Sequence, residues 1–259
     1  MSELVRGLLA QLRVVHALAL RETRTRFGAN QLGYLWALLE PLFWILTFYG
    51  MFLLVGRTTG SMEVVPFLTT GIITYELVVK TSDRASLSID ANRALLFYPQ
   101  VQPLDLILAR GGLEIATFAT VFAAIVGTHA LLSGGAPIDS VLVTMMGMAL
   151  AGLLGLSLGT LLCALSIVSK SVERVKGPLM RPLFWISGLF FTAESLPSHL
   201  REVFMWNPIL HCVEIVRDGW FPGYDARHAS PAYVLVWVIV LAFAGLTLER
   251  AVRHRIQPA

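Results

Sequence analysis

One carboxylate interrupts the most apolar stretch of the chain. Glu40 is the only charge in Leu32–Val55, LGYLWALLEPLFWILTFYGMFLLV. A charge well inside a membrane span costs about 2.5 kcal/mol or more unless it is paired or wetted, which makes it a functional suspect by default. Read as helix, Trp36, Glu40, Trp44, Phe48 and Phe52 recur every fourth residue, so four rings and the carboxylate share one side. Such rings either offer flat faces to sugar rings or simply fill helix–helix and lipid contacts. Glu40 either serves transport or pairs structurally with a cation such as Arg110. A second cluster, His211, Glu214 and Asp218, falls on one helical face at i, i+3 and i+7. A metal site needs convergent ligands with a supporting shell; this pattern is incomplete and reads as an interfacial polar face. The chain has no GxxxxGK[ST], HExxH or CxxC. Nothing nominates a nucleophile or a phosphate-cradling loop, so the chain by itself does not read as an enzyme.

The elements that must position these residues are membrane spans. The 259 residues are 56% hydrophobic and only 14% charged, where soluble chains average roughly 25% charge. A bilayer core needs about 20 apolar residues as helix, and Leu32–Val55 is 24 residues long with a single charge. The expectation is an all-α integral membrane protein with no large soluble domain. The net charge of +3 then reflects Lys and Arg at the membrane surface and argues against nucleic-acid binding. Cys163 and Cys212 lie far apart, which disfavours a disulfide framework. No cleavable secretory segment is legible at the start.

Residues 1–30 read as an amphipathic interfacial helix with polar Arg6, Arg13, Arg21, Arg24 and Arg26. Residues 31–259 read as six transmembrane helices: 32–55, 64–79, 104–132, 141–168, 178–191 and 232–248. Pro41 invites a kink in the first. Residues 81–103 form a polar loop with its own short helix over about 88–98. The third span, about 43 Å long at 1.5 Å per residue, carries Asp105, Arg110 and Glu114 into headgroups or the protein interior. Ala151, Gly155 and Gly159 recur every fourth residue in the fourth, suiting close packing within one chain or across a dimer. Residues 170–176 read as a basic loop. Residues 194–222 hold two short helical patterns broken at Asn207-Pro208. Neither can cross a bilayer, so they read as re-entrant half-helices with Trp206 and Trp220 at interface depth. Residues 1–31, 80–110, 170–181 and 250–259 hold sixteen of the twenty Lys and Arg. The positive-inside rule therefore puts both termini in the cytoplasm.

Three stretches carry a family resemblance: LGYLWALLEPLFW, LLFYPQVQPLDLILARGGLE and SGLFFTAESLPSHLREVFMWNPILHCVEIVRDGWFPGY. With the six-span layout they resemble permease subunits of type-2 ABC exporters for polysaccharide, nearest to those for capsule. The resemblance covers essentially the whole chain, and WNP…EIVRDGWF is its most specific part. It implies a homodimer in the bacterial inner membrane, docked to two ABC ATPase subunits that hold ATP and Mg, with no cofactor on this chain. It makes 88–98 the coupling helix, with Asp90, Arg93, Phe97 and Tyr98 as contact candidates. The basic loop with Lys170, Glu173, Arg174 and Lys176 would be a second contact. It puts the half-helices, with Trp206, Asn207, Pro208, Glu214, Arg217, Asp218 and Trp220, at a periplasmic gate. The cargo it implies is a lipid-linked anionic polysaccharide, passed to a co-polymerase-like periplasmic adaptor and an outer-membrane channel. Arg21, Arg24 and Arg26 would then ease an anionic chain toward an anionic membrane surface, and the Trp36–Phe52 stripe would line the conduit. The alternatives are export of O-antigen or teichoic acid, a proton-coupled secondary transporter using Glu40 or Glu76, and a scaffold without a transport role.

Overall fold

The computed structural model describes residues 3–27, 32–57, 59, 60, 62–133 and 138–253. Among them there is no strand. The chain runs α1 (Glu3–Phe27), α2 (Leu32–Val55), α3 (Val64–Ser86), α4 (Ser88–Ala91), a 3-10 turn (Arg93–Phe97), α5 (Pro103–Ser133) and α6 (Val141–Val168). It continues through α7 (Ser171–Ile186), a 3-10 turn (Ala193–Ser195), α8 (Ser198–Phe204), α9 (Pro208–Trp220) and α10 (Pro231–Val252).

Helix α6 is the central post, packed against α3, α5, α9 and α10. Its glycines explain why. A Cβ at Gly155 would lie 2.6 Å from the Val78 carbonyl, and one at Gly159 would lie 2.5 Å from Ala85 Cβ. The small-residue stripe thus seats α3 within one chain, which resolves the two uses its spacing allowed. Without a hydrophobic drive inside lipid, close van der Waals packing of this kind holds helices together. Gly155-Leu156-Ser157-Leu158-Gly159 also spells G-x-S-x-G, the pattern of a nucleophile elbow. Here Ser157 sits buried in mid-helix, with no strand-to-helix turn to present it.

Helix α3 continues to Ser86, seven residues past the expected end of its span. Its polar residues are satisfied locally: Thr69, Thr70 and Thr74 hydroxyls donate to the carbonyls of Val65, Pro66 and Thr70. Lys80, which marked the end in the sequence, is absorbed by an ion pair with α2. The charges of α5 turn inward, Asp105 and Glu114 each being 2% exposed.

Among the described residues, five helices are long and apolar enough to cross a membrane: Trp36–Val55, Val64–Ser86, Pro103–Leu131, Val141–Val168 and Pro231–Val252. The segment expected as the fifth of six spans differs. Helix α7 starts at Ser171, so the basic stretch is helical and not a loop, and it ends at Ile186 after 16 residues. That is about 24 Å at 1.5 Å per residue, short of a bilayer core of about 30 Å. A turn through Gly188, at φ 78°, then carries Leu189 and Phe190 back into the core.

The expected helix over 88–98 is likewise divided. Ser88–Ala91 is a single α-turn, and Arg93–Phe97 is 3-10 after a break at Asn92. The Asn92 side chain donates back to the Ser88 carbonyl at 3.1 Å, the kind of local bond that competes with a continuing helix. The two half-helices beyond α7 form as the Asn207-Pro208 break implies. Asn207 caps α9 through Ile209 N at 3.0 Å, and Pro208 takes the first turn, where no donor is needed.

Candidate functional site

The aromatic stripe on α2 is split by packing. Trp36 is 66% exposed and Trp44 43%, whereas Phe48 and Phe52 are core residues. The end of α7 and the turn after it cause most of the split. Phe184 and Phe190 close over Phe48, with ring centroids 5.9 and 4.4 Å away, and Arg57 lies over Phe52 at 5.2 Å. In this conformation Phe52 is closed off, and Phe48 is reached only from the gap between α2, α3 and α7. Trp44 stacks on Phe48 at 5.8 Å and 17° and so spans the buried and open parts.

Two open grooves meet at Trp44. One, about 540 Å³, is lined by Trp36, Leu39, Glu40, Phe43, Trp44 and Thr47. The other, about 610 Å³, lies between α2, α3 and α7, where Trp44, Phe48, Tyr75, Phe184 and Trp185 line it with Glu76 and Arg181. Flat rings interleaved with a few charges suit an amphipathic ring with polar edges better than a plain acyl chain.

The charge at the groove has a partner other than the one expected. Lys80 Nζ on α3 donates to Glu40 Oε1 at 2.6 Å and lies 3.8 Å from Glu76 Oε2. Arg110 is taken by Glu22 on α1 at 2.9 Å. One lysine therefore bridges two carboxylates from two helices. The i, i+4 spacing of Glu76 and Lys80 put their pairing within reach of the sequence; the reach across to Glu40 was not legible there.

At the end of the bundle bearing α1 and α4, the basic residues separate. Arg21 donates to Asn92 Oδ1 at 3.3 Å, and Arg24 is exposed. The side chain of Arg26 lies outside the described residues. Arg93, Phe97 and Tyr98 are exposed, at 66%, 70% and 63%. Asp90 is held by Lys170 from α7 and by Arg93 at 3.2 Å. Partial burial acts to raise the Asp90 pKa, but the Lys170 ammonium and Arg93 guanidinium outweigh it and hold the carboxyl below its usual value. Glu173 lies 3.7 Å from Lys170, and Arg174 is exposed.

At the opposite end, α9 is tied down by a buried charge network. Arg217 is 0% exposed and Glu214 1%. Arg217 donates to Glu214 Oε1 at 3.2 Å and to the Phe191 carbonyl at 2.8 Å, and its guanidinium lies 3.9 Å from the centre of the Phe67 ring. Glu214 also accepts from Ala193 N at 3.2 Å and from the Tyr224 hydroxyl. Asp218 accepts from Ala226 N at 2.9 Å. His211 accepts from Ser230 N on Nδ1 at 3.0 Å, which leaves Nε2 to donate to the Met205 carbonyl at 2.8 Å. Each of the three residues on that face thus has its own partners, and no group of three metal-capable side chains converges among the described residues. Trp220 is core at 1% exposure and packs edge-on to Phe122; Trp206 is exposed. Glu214, Arg217 and Trp220 are buried and hold α9 against the rest of the chain.

Residues 13–221 match the family described as ABC-2 type transporter. The chain is 32% identical over 237 residues to the polysialic acid transport protein KpsM of Escherichia coli, covering 91% of this chain and 92% of that one. It is 30% identical over 257 residues to the capsule polysaccharide export inner-membrane protein CtrC of Neisseria meningitidis serogroup B, covering 97% and 96%. It is 29% identical over 256 residues to the capsule polysaccharide export inner-membrane protein BexB of Haemophilus influenzae, again 97% and 96%. With apolar helices of spanning length and a match across most of its length, the chain belongs to the ABC-2 type transporter family.

Proposed function

We propose that this chain is the inner-membrane permease subunit of an ATP-driven exporter that moves lipid-linked capsular polysaccharide from the cytoplasm to the periplasm. The observation that carries the reading is the nearly full-length similarity to proteins named for polysialic acid transport and for capsule polysaccharide export at the inner membrane. The aromatic groove at Trp36 and Trp44 supports it, because exposed rings beside a charge pair can hold a glycan weakly at several places while it moves. The pairing of Glu40 with Lys80 disfavours Glu40 as the proton site of a coupled carrier.

The chain acts as a homodimer with two copies of an ABC ATPase subunit, which hold ATP and Mg. Both termini and the 88–98 segment face the cytoplasm. Exposed Arg93, Phe97 and Tyr98 dock into the ATPase, with Arg174 as a further contact. The half-helices α8 and α9 face the periplasm, toward an adaptor and an outer-membrane channel. The basic residues at the α1 end, Arg21 and Arg24 among them, support this orientation. Two experiments test the reading. Trp36→Ala/Trp44→Ala should keep protein level and lose surface capsule; unchanged capsule refutes the groove. Purification of the intact chain from its host should recover the ABC ATPase subunit, and export that persists without that subunit refutes the exporter.

A further inference from the structure

Helix α7 is held in an unusual way. It forms one wall of the aromatic groove, yet none of its side chains is buried. Its first two turns are fixed by charge. Lys170 pairs with Asp90, and Lys176 Nζ reaches Asp83 Oδ1 at 2.7 Å and Ser86 Oγ at 2.9 Å. Its last turns are fixed by rings, with Phe184 against Tyr75 at 5.4 Å, Phe48 and Phe190. Between them lie Pro178 and Pro182. Each removes a backbone donor and weakens the helix where the charged half meets the aromatic half. The two lysine ties are unequal. Lys170 is 61% exposed, where solvent and salt weaken an ion pair; Lys176 is 13% exposed. A lysine so far withdrawn from water is stable only with partners, and its partners all come from the end of α3.

We propose that Lys176, assisted by Lys170, is a latch that makes α7 follow residues 83–93, so that displacing the 88–98 segment moves the α7 wall of the aromatic groove. The proposal rests on the reading of 88–98 as the ATPase-docking segment. Packed helices carry motion as rigid bodies, and a joint at paired prolines lets one half swing relative to the other. Because α7 has so little buried surface, the latch is its main tie to that segment. Lys176 is thus a positioning residue that acts through α7 and touches no cargo.

Spin labels on Ala91→Cys and Val175→Cys, both exposed positions, report the distance across the latch in the full chain in lipid nanodiscs. The native thiols Cys163 and Cys212 are buried. The expected result is a narrow distribution in the parent, a broadened one in Lys176→Met, and a narrow one again in the exchange Asp83→Lys/Lys176→Asp. A distribution unchanged by Lys176→Met overturns the latch; so does an exchange that stays broad, since packing and not charge would then set the position. In cells, Lys176→Met should retain the ATPase subunit and ATP hydrolysis but lose capsule export. Normal export alongside a broadened distribution overturns the transmission of motion. A parent chain that recovers no ATPase subunit overturns the docking reading instead, and the distance measurement still decides whether the latch exists.

Discussion

Removing the amine of Lys80 tests whether the charge cluster at the groove is a joint between α2 and α3. Helix α2 is lightly held: 22% of its most apolar window is buried, against 72% for α3. At 2.6 Å and an effective dielectric near 20, the Lys80–Glu40 attraction is about 6 kcal/mol gross. Desolvation offsets most of this. The side chains are 31% and 38% exposed, so a net coupling of about 1–2 kcal/mol is expected. Lys80→Met leaves two carboxylates without their cation, and an unpaired charge at the centre of a span costs about 2.5–3.5 kcal/mol. The Glu40 carboxylate is 38% exposed and so partly wetted, which brings the expected loss to about 2–3 kcal/mol in total. Glu40→Gln should cost only about 1 kcal/mol, because Lys80 keeps Glu76 at 3.8 Å. The double variant should then be no worse than Lys80→Met alone, since it strands one carboxylate fewer. Unfolding titrations of the four proteins in one detergent measure this cycle. Costs that add within about 0.5 kcal/mol would refute the coupling.

The other predictions follow from the same geometry. Arg217→Met should destabilise by about 3–5 kcal/mol by leaving Glu214 buried without its cation; Arg217→Lys should recover only part, since a lysine cannot reach the Phe191 and Leu189 carbonyls together with Glu214. Thermal unfolding reads both. Gly159→Val should cost about 2–3 kcal/mol, because the new side chain starts 2.5 Å from Ala85 Cβ and 2.9 Å from the Ser82 carbonyl; parent-like stability would mean that α3 and α6 are less tightly seated. Phe48→Ala should lower stability where Trp36→Ala does not, the first ring being core and the second open. The Asp90–Lys170 tie should not change between neutral pH and about pH 5, because a depressed carboxyl pKa keeps its stabilisation above the unfolded value and loses it only as pH falls through the folded one. The label distance between residues 91 and 175, followed against pH in Lys176→Met, checks this.

What the sequence made legible follows from which forces are local. The spans α2, α5, α6 and α10 were readable because a bilayer imposes a length of about 20 apolar residues on one continuous stretch. The half-helices were readable because Asn207-Pro208 carries its own start signal. Helix α7 was not, since its apolar and charged residues lie on different faces of one helix. Read as a linear string, the charged part looked like a loop and the apolar part like a short span. The charge partners were hidden for a related reason. Arg110 and Lys80 are both plausible cations for Glu40 by composition, and only the side-by-side seating of α2 on α3 chooses Lys80.

The same distinction explains the fate of the candidate site. Trp36, Trp44, Phe48 and Phe52 share a helical face, and periodicity has no way to tell which part of a face another segment will cover. The turn through Gly188 decides it by returning Phe190 onto Phe48, 4.4 Å away. Arg217 fixes that return by holding the carbonyls of Leu189 and Phe191 from inside α9. The residues expected at a gate and the residues expected along a conduit are therefore linked through one turn. A change in the seating of α9 would uncover Phe48, and with it extend the open part of the stripe beyond Trp44. Arg217→Lys, with its loosened hold, should accordingly raise the reactivity of a Phe48→Cys thiol toward a water-soluble maleimide; equal reactivity in the two backgrounds would show that the turn is held by its rings alone.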